Sequence, residues 1–479
     1  MSADARAPRW VEDAIFYQVF PDRFARSERV KKLGRLEAWD APPSARGFKG
    51  GDLLGLRERL DWIVELGANA LYLNPIFPSA ANHRYHTTDF FHVDPALGGD
   101  RAFRELLDAC HARNVRVIID GVFNHVGRGF FAFHDVLENG RDSRFLDWFS
   151  LERVPVDAYG PEAPTYATWA GHASLPKLRL DQPEVAEYVF EVAEHWARFG
   201  IDGWRFDTPE QVVTPGFWQE LRARVKAVNP ELYLVGEIWT DPRDWISPRG
   251  PFDAVLGYWF GGRTLAFAAQ NHLDLEVCRA IDYPLKQPLD GRGYAAFLEA
   301  LLASTDPATN RAQLHLDSSH DTPRLVTLAS ADFDSVALTR LLAFTFVGAP
   351  CVFYGDEVGL AGGHDPGGRV AFPWEHPERW DRRALDLHRA LGGLRRRSEA
   401  LRRGEYATLA ASEDVIAFSR ATTSEQLVVM VNAGTREHDL DFPGRKLDAQ
   451  LFCHGSAELA RTDRVRLGPR SGAVFRVVG

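Results

Sequence analysis

Short apolar runs alternate with longer amphipathic segments up to about residue 400 of the chain. Eight of these runs have the length and composition of buried parallel strands, and at least one helical segment separates each pair. The predicted strands are residues 14–19, 70–76, 116–122, 203–207, 232–239, 254–258, 312–318 and 351–357. The clearest predicted helices are residues 56–67, 100–114, 184–200, 217–229 and 335–348.

This alternation predicts an α/β fold in which eight parallel strands and their crossover helices close into a (β/α)₈ TIM barrel. We assign the barrel to residues 1–125 and 183–397. An open doubly wound sheet is the alternative arrangement. In a barrel the functional residues lie at the C-terminal ends of the strands.

Two stretches depart from the alternation. More than fifty residues rich in Gly, Pro and aromatic side chains separate His125 from Asp181. We interpret residues 126–182 as an insertion domain after the third strand, because loops of that length are usually functional or form a small domain. Residues 398–479 show period-two alternation broken by turn residues, which predicts a C-terminal antiparallel β-sandwich.

Composition excludes several classes of protein. The 479 residues are 45% hydrophobic and 25% charged, with a net charge of −10, which is typical of a globular chain. No basic face is evident, so we expect no nucleic-acid partner. No stretch of 18 apolar residues and no apolar signal-peptide core occur, so we expect no membrane span and a cytoplasmic location.

The four cysteines are scattered and form no CxxC pair. They are Cys110, Cys278, Cys351 and Cys453. We expect free thiols and no metal site built from them.

Four short segments carry the candidate chemistry, each at or just past the end of a predicted strand. They read DGVFNH (120–125), GWRFD (203–207), GEIW (236–239) and SSHD (318–321). The segments supply four carboxylates together with interleaved Arg and His side chains: Asp120, Asp207, Glu237, Asp321, His125, Arg205 and His320. This set, at strand ends, suggests cleavage of glycosidic bonds.

Hydrolysis of a glycoside needs two carboxyl groups on either side of the scissile bond, about 5–5.5 Å apart in retaining enzymes. Asp207 and Glu237 end neighbouring strands and suit the nucleophile and the acid/base. Arg205 points to the same side of its strand as Asp207 and would keep it ionised. Ile238 and Trp239 would give Glu237 an apolar wall.

Asp321 is a third carboxylate that could bind sugar hydroxyls and favour the oxocarbenium-like transition state. A lone Asp at a strand end is more often part of a structural ion pair. Four such segments in this order favour a catalytic site instead.

These segments closely resemble the four signature regions of the α-amylase superfamily, glycoside hydrolase family 13. The resemblance implies that Asp207 is the nucleophile, Glu237 the acid/base and Asp321 the transition-state stabiliser. It assigns substrate and nucleophile support to Asp120, His125, Arg205 and His320, and stacking on the sugar in the −1 subsite to Tyr85.

A subgroup is also suggested. The segments NHRYHTTDF, LPKL (175–178), SHDTPR (319–324) and YGDEVGLAGGHDPGGR (354–369) resemble those of cyclomaltodextrinases, neopullulanases and maltogenic amylases. By this resemblance Trp239 is the acceptor-side tryptophan, and Asp365 with Arg369 holds the −2 sugar. Barrel packing for Trp239 and a surface ion pair for Asp365 and Arg369 are the structural alternatives.

Several positions depart from that subgroup. Those enzymes usually carry an N-terminal β-sandwich that builds their dimer, whereas the first predicted strand here begins near residue 14, so we expect no such domain. His86 replaces an Asp, Arg179 replaces an Asn, and Ser319 replaces the commoner Asn. These changes leave subsite preference open.

The sequence therefore predicts a retaining α-glucan hydrolase that cleaves α-1,4 bonds in maltooligosaccharides, cyclodextrins or pullulan, with some transglycosylation. An α-glucosidase or a sucrose- or trehalose-directed transferase on the same site is the alternative, and a non-catalytic scaffold is a third reading. The expected partner is an α-glucan oligosaccharide. No cofactor is required, and structural calcium near Asn124 and the oligomeric state are left open.

Overall fold

The computed structural model describes residues 7–32, 34–280, 285 and 287–478. Within these residues the chain forms sixteen β-strands. They are β1 (Phe16–Val19), β2 (Ala70–Leu73), β3 (Arg116–Gly121), β4 (Gly203–Phe206), β5 (Tyr233–Gly236), β6 (Ala254–Val255), β7 (Leu314–Leu316), β8 (Ala349–Phe353), β9 (Glu405–Ala411), β10 (Val415–Ala421), β11 (Gln426–Asn432), β12 (His438–Asp441), β13 (Lys446–His454), β14 (Ala457–Arg461), β15 (Arg464–Leu467) and β16 (Ser471–Val478).

Sixteen α-helices occur in the same described residues. They are α1 (Pro21–Phe24), α2 (Leu53–Glu58), α3 (Leu60–Glu65), α4 (Gly99–His111), α5 (Phe131–Asn139), α6 (Pro183–Phe199), α7 (Phe217–Val228), α8 (Arg243–Ile246), α9 (Tyr258–Ala269), α10 (Leu275–Arg279), α11 (Gly291–Ala303), α12 (Pro307–Ala312), α13 (Leu325–Leu328), α14 (Phe333–Thr345), α15 (Arg382–Arg397) and α16 (Glu399–Arg403). The helix predicted over 56–67 is divided into α2 and α3, because Arg59 leaves the helical conformation.

Strands β1 to β8 form one eight-stranded sheet in the order β6-β5-β4-β3-β2-β1-β8-β7, and the pairs whose register is resolved are parallel. Leu256, which follows β6, forms a parallel bridge with Leu314 in β7. The sequence-predicted (β/α)₈ barrel is therefore confirmed, and each of its eight strands starts within a predicted apolar run or just before it. Nearly all strand residues are buried, which explains why the runs are continuously apolar.

The chain divides into two compact units. The first unit comprises residues 1–18, 61–69 and 256–479, and the second comprises residues 19–60 and 70–255. The second unit holds β2 to β6. The first unit holds β7, β8 and every later strand.

The long segment after β3 has little regular structure but a dense aromatic core. Antiparallel bridges join Thr168 to Pro176 and Phe149 to Leu178, so that the chain doubles back as a hairpin. The Trp148 ring packs against the rings of Phe145 and Tyr188 at centroid distances of 5.2 and 5.4 Å. Because Tyr188 belongs to α6, this core ties the insertion to a barrel helix within the same unit.

The C-terminal strands form two antiparallel sheets, one of order β13-β16-β11-β10-β9 and one of order β12-β15-β14. Their shared core includes Met430 and Phe475 of the larger sheet and Val465 and Leu467 of the smaller sheet. The predicted antiparallel C-terminal fold is confirmed. Helix α16 precedes it, and its first strand begins at Glu405.

Among the described residues, no helix is both long enough and apolar enough to span a membrane. All four cysteines are free thiols, and Cys453 is exposed whereas the other three are buried.

Candidate active site

Arg205, at the end of β4, is the centre of the first group of site residues. Its guanidinium is fully buried. Nη1 donates to Asp120 Oδ1 at 2.8 Å and to Asp207 Oδ1 at 2.9 Å, and Nη2 lies 2.9 Å from Glu237 Oε2. One arginine thus holds three carboxylates that come from three neighbouring strands. Charge-assisted contacts of this kind are the strongest hydrogen bonds in proteins and fix orientation as well as charge.

Asp120 is completely buried, so it contacts protein groups and not solvent. Its Oδ2 accepts hydrogen bonds from the hydroxyls of Tyr85 at 2.8 Å and Tyr72 at 3.3 Å. Burial raises the pKa of Asp120 to about 6, although the charge of Arg205 opposes that shift. Asp120 is therefore placed to orient Arg205 and Tyr85.

Glu237, just after β5, is surrounded by hydrogen-bond donors. Its Oε2 accepts from the backbone N–H of Thr208 at 3.0 Å, and its Oε1 accepts from the indole N–H of Trp239 at 3.0 Å. The structure does not give Glu237 the apolar wall that the sequence predicts from Ile238 and Trp239. Ile238 packs away in a separate cluster with Ile246, and Trp239 approaches the carboxyl with its polar edge.

His125, the last residue of the DGVFNH segment that follows β3, is buried against the insertion. Burial lowers its pKa to about 3, so its imidazole is neutral at physiological pH. The side-chain amide of Asn124 donates to Nδ1 at 3.2 Å, which leaves the ring proton on Nε2. The Trp169 ring lies over the imidazole with a centroid distance of 5.5 Å.

Tyr85 is held by residues that the sequence prediction missed. Asn74 donates to its hydroxyl at 3.1 Å, and the His83 ring stacks on it at 5.7 Å. Asn74 follows β2 directly, so its position at a strand end was an available signal. His83 lies in a turn and Trp169 begins a three-residue 3₁₀ helix, and no periodic pattern marks either residue.

A second group of predicted residues lies in the first unit. Gln18 Nε2 donates to His320 Nδ1 at 2.9 Å, and His320 Nε2 then donates to Asp321 Oδ2 at 3.0 Å. Arg369 binds the His320 backbone oxygen at 2.9 Å, Asp365 at 2.9 Å and Asp321 at 3.5 Å. The structure therefore brings His320, Asp321, Asp365 and Arg369 together.

Arg324 fixes the loop that carries this second group. Its Nε donates to the Gly368 carbonyl at 2.8 Å, and its Nη1 binds Asp356 at 3.0 Å. Arg340 also binds Asp356, and it lies 2.8 Å from Asp317 at the end of β7. These buried ion pairs join the segments that follow β7 and β8.

Among the described residues, no group of three or more His, Cys, Asp or Glu side chains is arranged to hold a metal ion. Asn124, the residue considered for calcium, donates its amide N–H to His125, and its backbone oxygen accepts from Leu178.

The sequence of residues 18–390 matches the family described as alpha amylase, catalytic domain. The chain belongs to the α-amylase family of glycoside hydrolases. A cyclomaltodextrinase from Geobacillus thermopakistaniensis is 37% identical over 481 residues, which is 98% of this chain and 78% of that protein.

Two solved structures of the family extend the likeness to the whole chain. The debranching enzyme from Nostoc punctiforme superposes with a TM-score of 0.90 at 45% identity, covering 98% of this chain and 99% of that chain. The cyclic α-maltosyl-(1→6)-maltose hydrolase from Arthrobacter globiformis superposes with a TM-score of 0.88 at 37% identity, covering 98% and 100%.

Proposed function

We propose that this α-amylase family member is a retaining hydrolase of α-glucans, which cleaves α-1,4 bonds in maltooligosaccharides, cyclodextrins or pullulan and transfers some glycosyl groups to sugar acceptors. The observation that carries this proposal is the pair of carboxylates on one guanidinium. Asp207 and Glu237 bind the two terminal nitrogens of Arg205, so both carboxylates belong to one cluster, and a retaining mechanism needs two neighbouring carboxyl groups.

The proposed reaction has two displacements. Asp207 attacks the anomeric carbon while Glu237 gives its proton to the leaving glycosidic oxygen, and a glycosyl ester of Asp207 forms. Glu237 then removes a proton from water, whose oxygen attacks the same carbon and releases Asp207. A sugar hydroxyl in place of water gives transglycosylation.

The other residues bind and orient in this proposal. Asp321 contacts sugar hydroxyls and stabilises the transition state, and Gln18 fixes the tautomer of His320 so that its Nε2–H faces Asp321. The neutral imidazole of His125 hydrogen-bonds a sugar hydroxyl. Trp239 lies on the acceptor side, where its contact with Glu237 couples acceptor binding to the acid/base.

The proposal is tested by measuring reducing-sugar release on β-cyclodextrin, maltotriose, pullulan and soluble starch. We expect faster hydrolysis of β-cyclodextrin and pullulan than of starch. The Asp207→Asn variant should lose at least about 10³-fold in kcat, because the amide cannot form the glycosyl ester. Full activity of this variant would refute the mechanism.

A second activity, cleavage of α-1,6 bonds, is favoured by the likeness to the debranching enzyme and the cyclic maltosyl-maltose hydrolase, which span almost the same length as this chain. Pullulan distinguishes the two activities. Cleavage at α-1,4 bonds releases panose-type trisaccharides, whereas cleavage at α-1,6 bonds releases maltotriose. Maltotriose as the main product would establish debranching.

We propose a cytoplasmic location, because four free thiols, one of them exposed, suit a reducing compartment. Cell fractionation tests this. We also propose that activity needs no cofactor. Treatment with a chelator should leave kcat/KM and Tm unchanged, and a fall in Tm that calcium reverses would identify a structural calcium site.

A further inference from the structure

Thr208, directly after Asp207, touches both proposed catalytic carboxylates. Its hydroxyl donates to Asp207 Oδ2 at 3.3 Å, and its backbone N–H donates to Glu237 Oε2 at 3.0 Å. The hydroxyl contacts Oδ2 of Asp207, whereas Arg205 binds Oδ1. Thr208 and Arg205 thus hold one oxygen each of the same carboxylate.

The backbone at Thr208 is strained. Its φ of 40° and ψ of 49° lie in the left-handed region, which β-branched residues rarely adopt. Pro209 follows, and a residue before proline normally prefers extended backbone. Strain of this kind persists only where the surrounding structure imposes it, and it clusters at functional sites.

The neighbouring contacts show how this conformation is imposed. On one side, the N–H of Asp207 donates to the Gly121 carbonyl at 3.1 Å. On the other side, the Thr208 carbonyl accepts from Gln211 at 3.0 Å, and the Pro209 carbonyl accepts from Trp218 Nε1 at 3.2 Å. The turn is fixed at both ends, so the hydroxyl is directed at Asp207 by the fold.

We propose that Thr208 is a positioning residue for the nucleophile: its hydroxyl holds Asp207 Oδ2, and its left-handed backbone, anchored on Glu237, places the hydroxyl there. The proposal rests on the proposed function, in which Asp207 attacks and Glu237 is the acid/base. A hydroxyl suits this task because it turns about its C–O bond and can release Oδ2 when that oxygen bonds to the anomeric carbon.

Thr208→Val removes the hydroxyl but keeps the volume, the β-branch and the backbone N–H. We expect kcat/KM to fall about tenfold, the size of effect expected from losing a hydrogen bond to a charged group. The acid limb of the pH profile of kcat/KM should move to higher pH, because the lost donor favoured the ionised carboxylate. Thr208→Ser keeps the hydroxyl, so it should have the wild-type kcat/KM and the wild-type pH profile.

An α-maltosyl fluoride substrate separates the nucleophile from the acid, because fluoride leaves without protonation. Thr208→Val should slow hydrolysis of this substrate by the same factor as hydrolysis of maltooligosaccharides. A loss confined to the oligosaccharides would place the effect on Glu237 and overturn the proposal.

Thr339→Val is the matched control. Thr339 is a buried threonine in α14 whose hydroxyl donates to the Ser335 carbonyl at 2.7 Å. This variant should change Tm but not the pH profile. The role of Thr208 alone would be overturned if Asp207→Asn is inactive but Thr208→Val keeps the wild-type rate and pH profile. An active Asp207→Asn variant would instead overturn the proposed function.

Discussion

At the scale of single residues, Arg205 in the second unit is a residue whose buried charge needs compensation by its neighbours. It is a fully buried cation whose terminal nitrogens contact Asp120, Asp207 and Glu237. A buried ion pair contributes little net stability when it is complete. Breaking it costs about 3–5 kcal/mol, because an uncompensated charge stays buried.

Arg205→Lys keeps the positive charge but replaces a planar fork by a single nitrogen. One ammonium cannot hold three carboxylates in these directions, so we expect kcat/KM to fall by at least about 100-fold while circular dichroism stays native. Arg116→Lys is the control, since Arg116 makes a half-exposed pair with Asp202. Equal losses in both variants would contradict the role of Arg205.

At the scale of elements, the insertion of residues 126–182 depends on aromatic packing, because it has little regular structure of its own. Trp148 is the centre of this packing, with Phe131, Phe145 and Tyr188 around it. The hairpin of the insertion also places the Trp169 ring against the His125 ring. The shape of this side of the site is therefore linked to the packing of Trp148.

Trp148→Ala should destabilise the protein by about 3–5 kcal/mol, the usual effect of removing a buried aromatic ring. Limited proteolysis should then cut first within the insertion. Tyr159→Ala is the control in the same segment, because Tyr159 is 70% exposed and its loss should change the free energy of unfolding by about 0.5 kcal/mol or less. An unchanged cleavage pattern for Trp148→Ala would contradict this prediction.

At the scale of the whole molecule, several buried titratable groups make the free energy of unfolding depend on pH. Burial lowers the pKa of His125 and His388 to about 3 and that of His315 to about 4. In the unfolded chain these histidines become protonated below about pH 6.5, whereas in the native protein they stay neutral until the pH approaches their lowered pKa values. Each therefore costs stability as the pH falls, at about 1.4 kcal/mol per pH unit.

Buried carboxyls act in the opposite direction. Burial raises the pKa of Asp120 and Asp317 to about 6, so between about pH 4 and 6 the native protein binds two protons that the unfolded chain releases. Three histidines outweigh these two carboxyls. The native state thus binds one proton fewer in this range, and these groups together make stability fall on acidification.

His388→Gln isolates one histidine that the proposed mechanism does not use. When the pH is lowered from 7.5 to 5, the free energy of unfolding of the wild type should fall by about 2 kcal/mol more than that of the variant. Thr339→Val, which has no titrating group, should differ from wild type by the same amount at both pH values. Urea denaturation measures both, and parallel pH dependence for wild type and H388Q would contradict the assignment.

Much of this protein is determined locally along its sequence. The barrel strands are predicted by continuous apolar runs, because both faces of these strands are buried. The C-terminal sheets are predicted by period-two alternation, because burial of one face of a strand makes apolar and polar side chains alternate. The strand-end positions of Asp120, Asp207 and Glu237 follow from the same runs. Their catalytic roles remain predictions that the proposed variants test.

Only the tertiary structure decided the contacts that tune the site. Gln18 and His320 are 302 positions apart, and Arg205 meets Asp120 across 85 positions. Ile238 and Trp239 are adjacent in sequence, yet one packs into an apolar cluster and the other donates to Glu237. The left-handed turn at Thr208 also depends on a neighbouring strand, because the preceding Asp207 N–H donates to the Gly121 carbonyl. Such features depend on side-chain direction and on fixed neighbouring segments, which exist only after the strands have assembled.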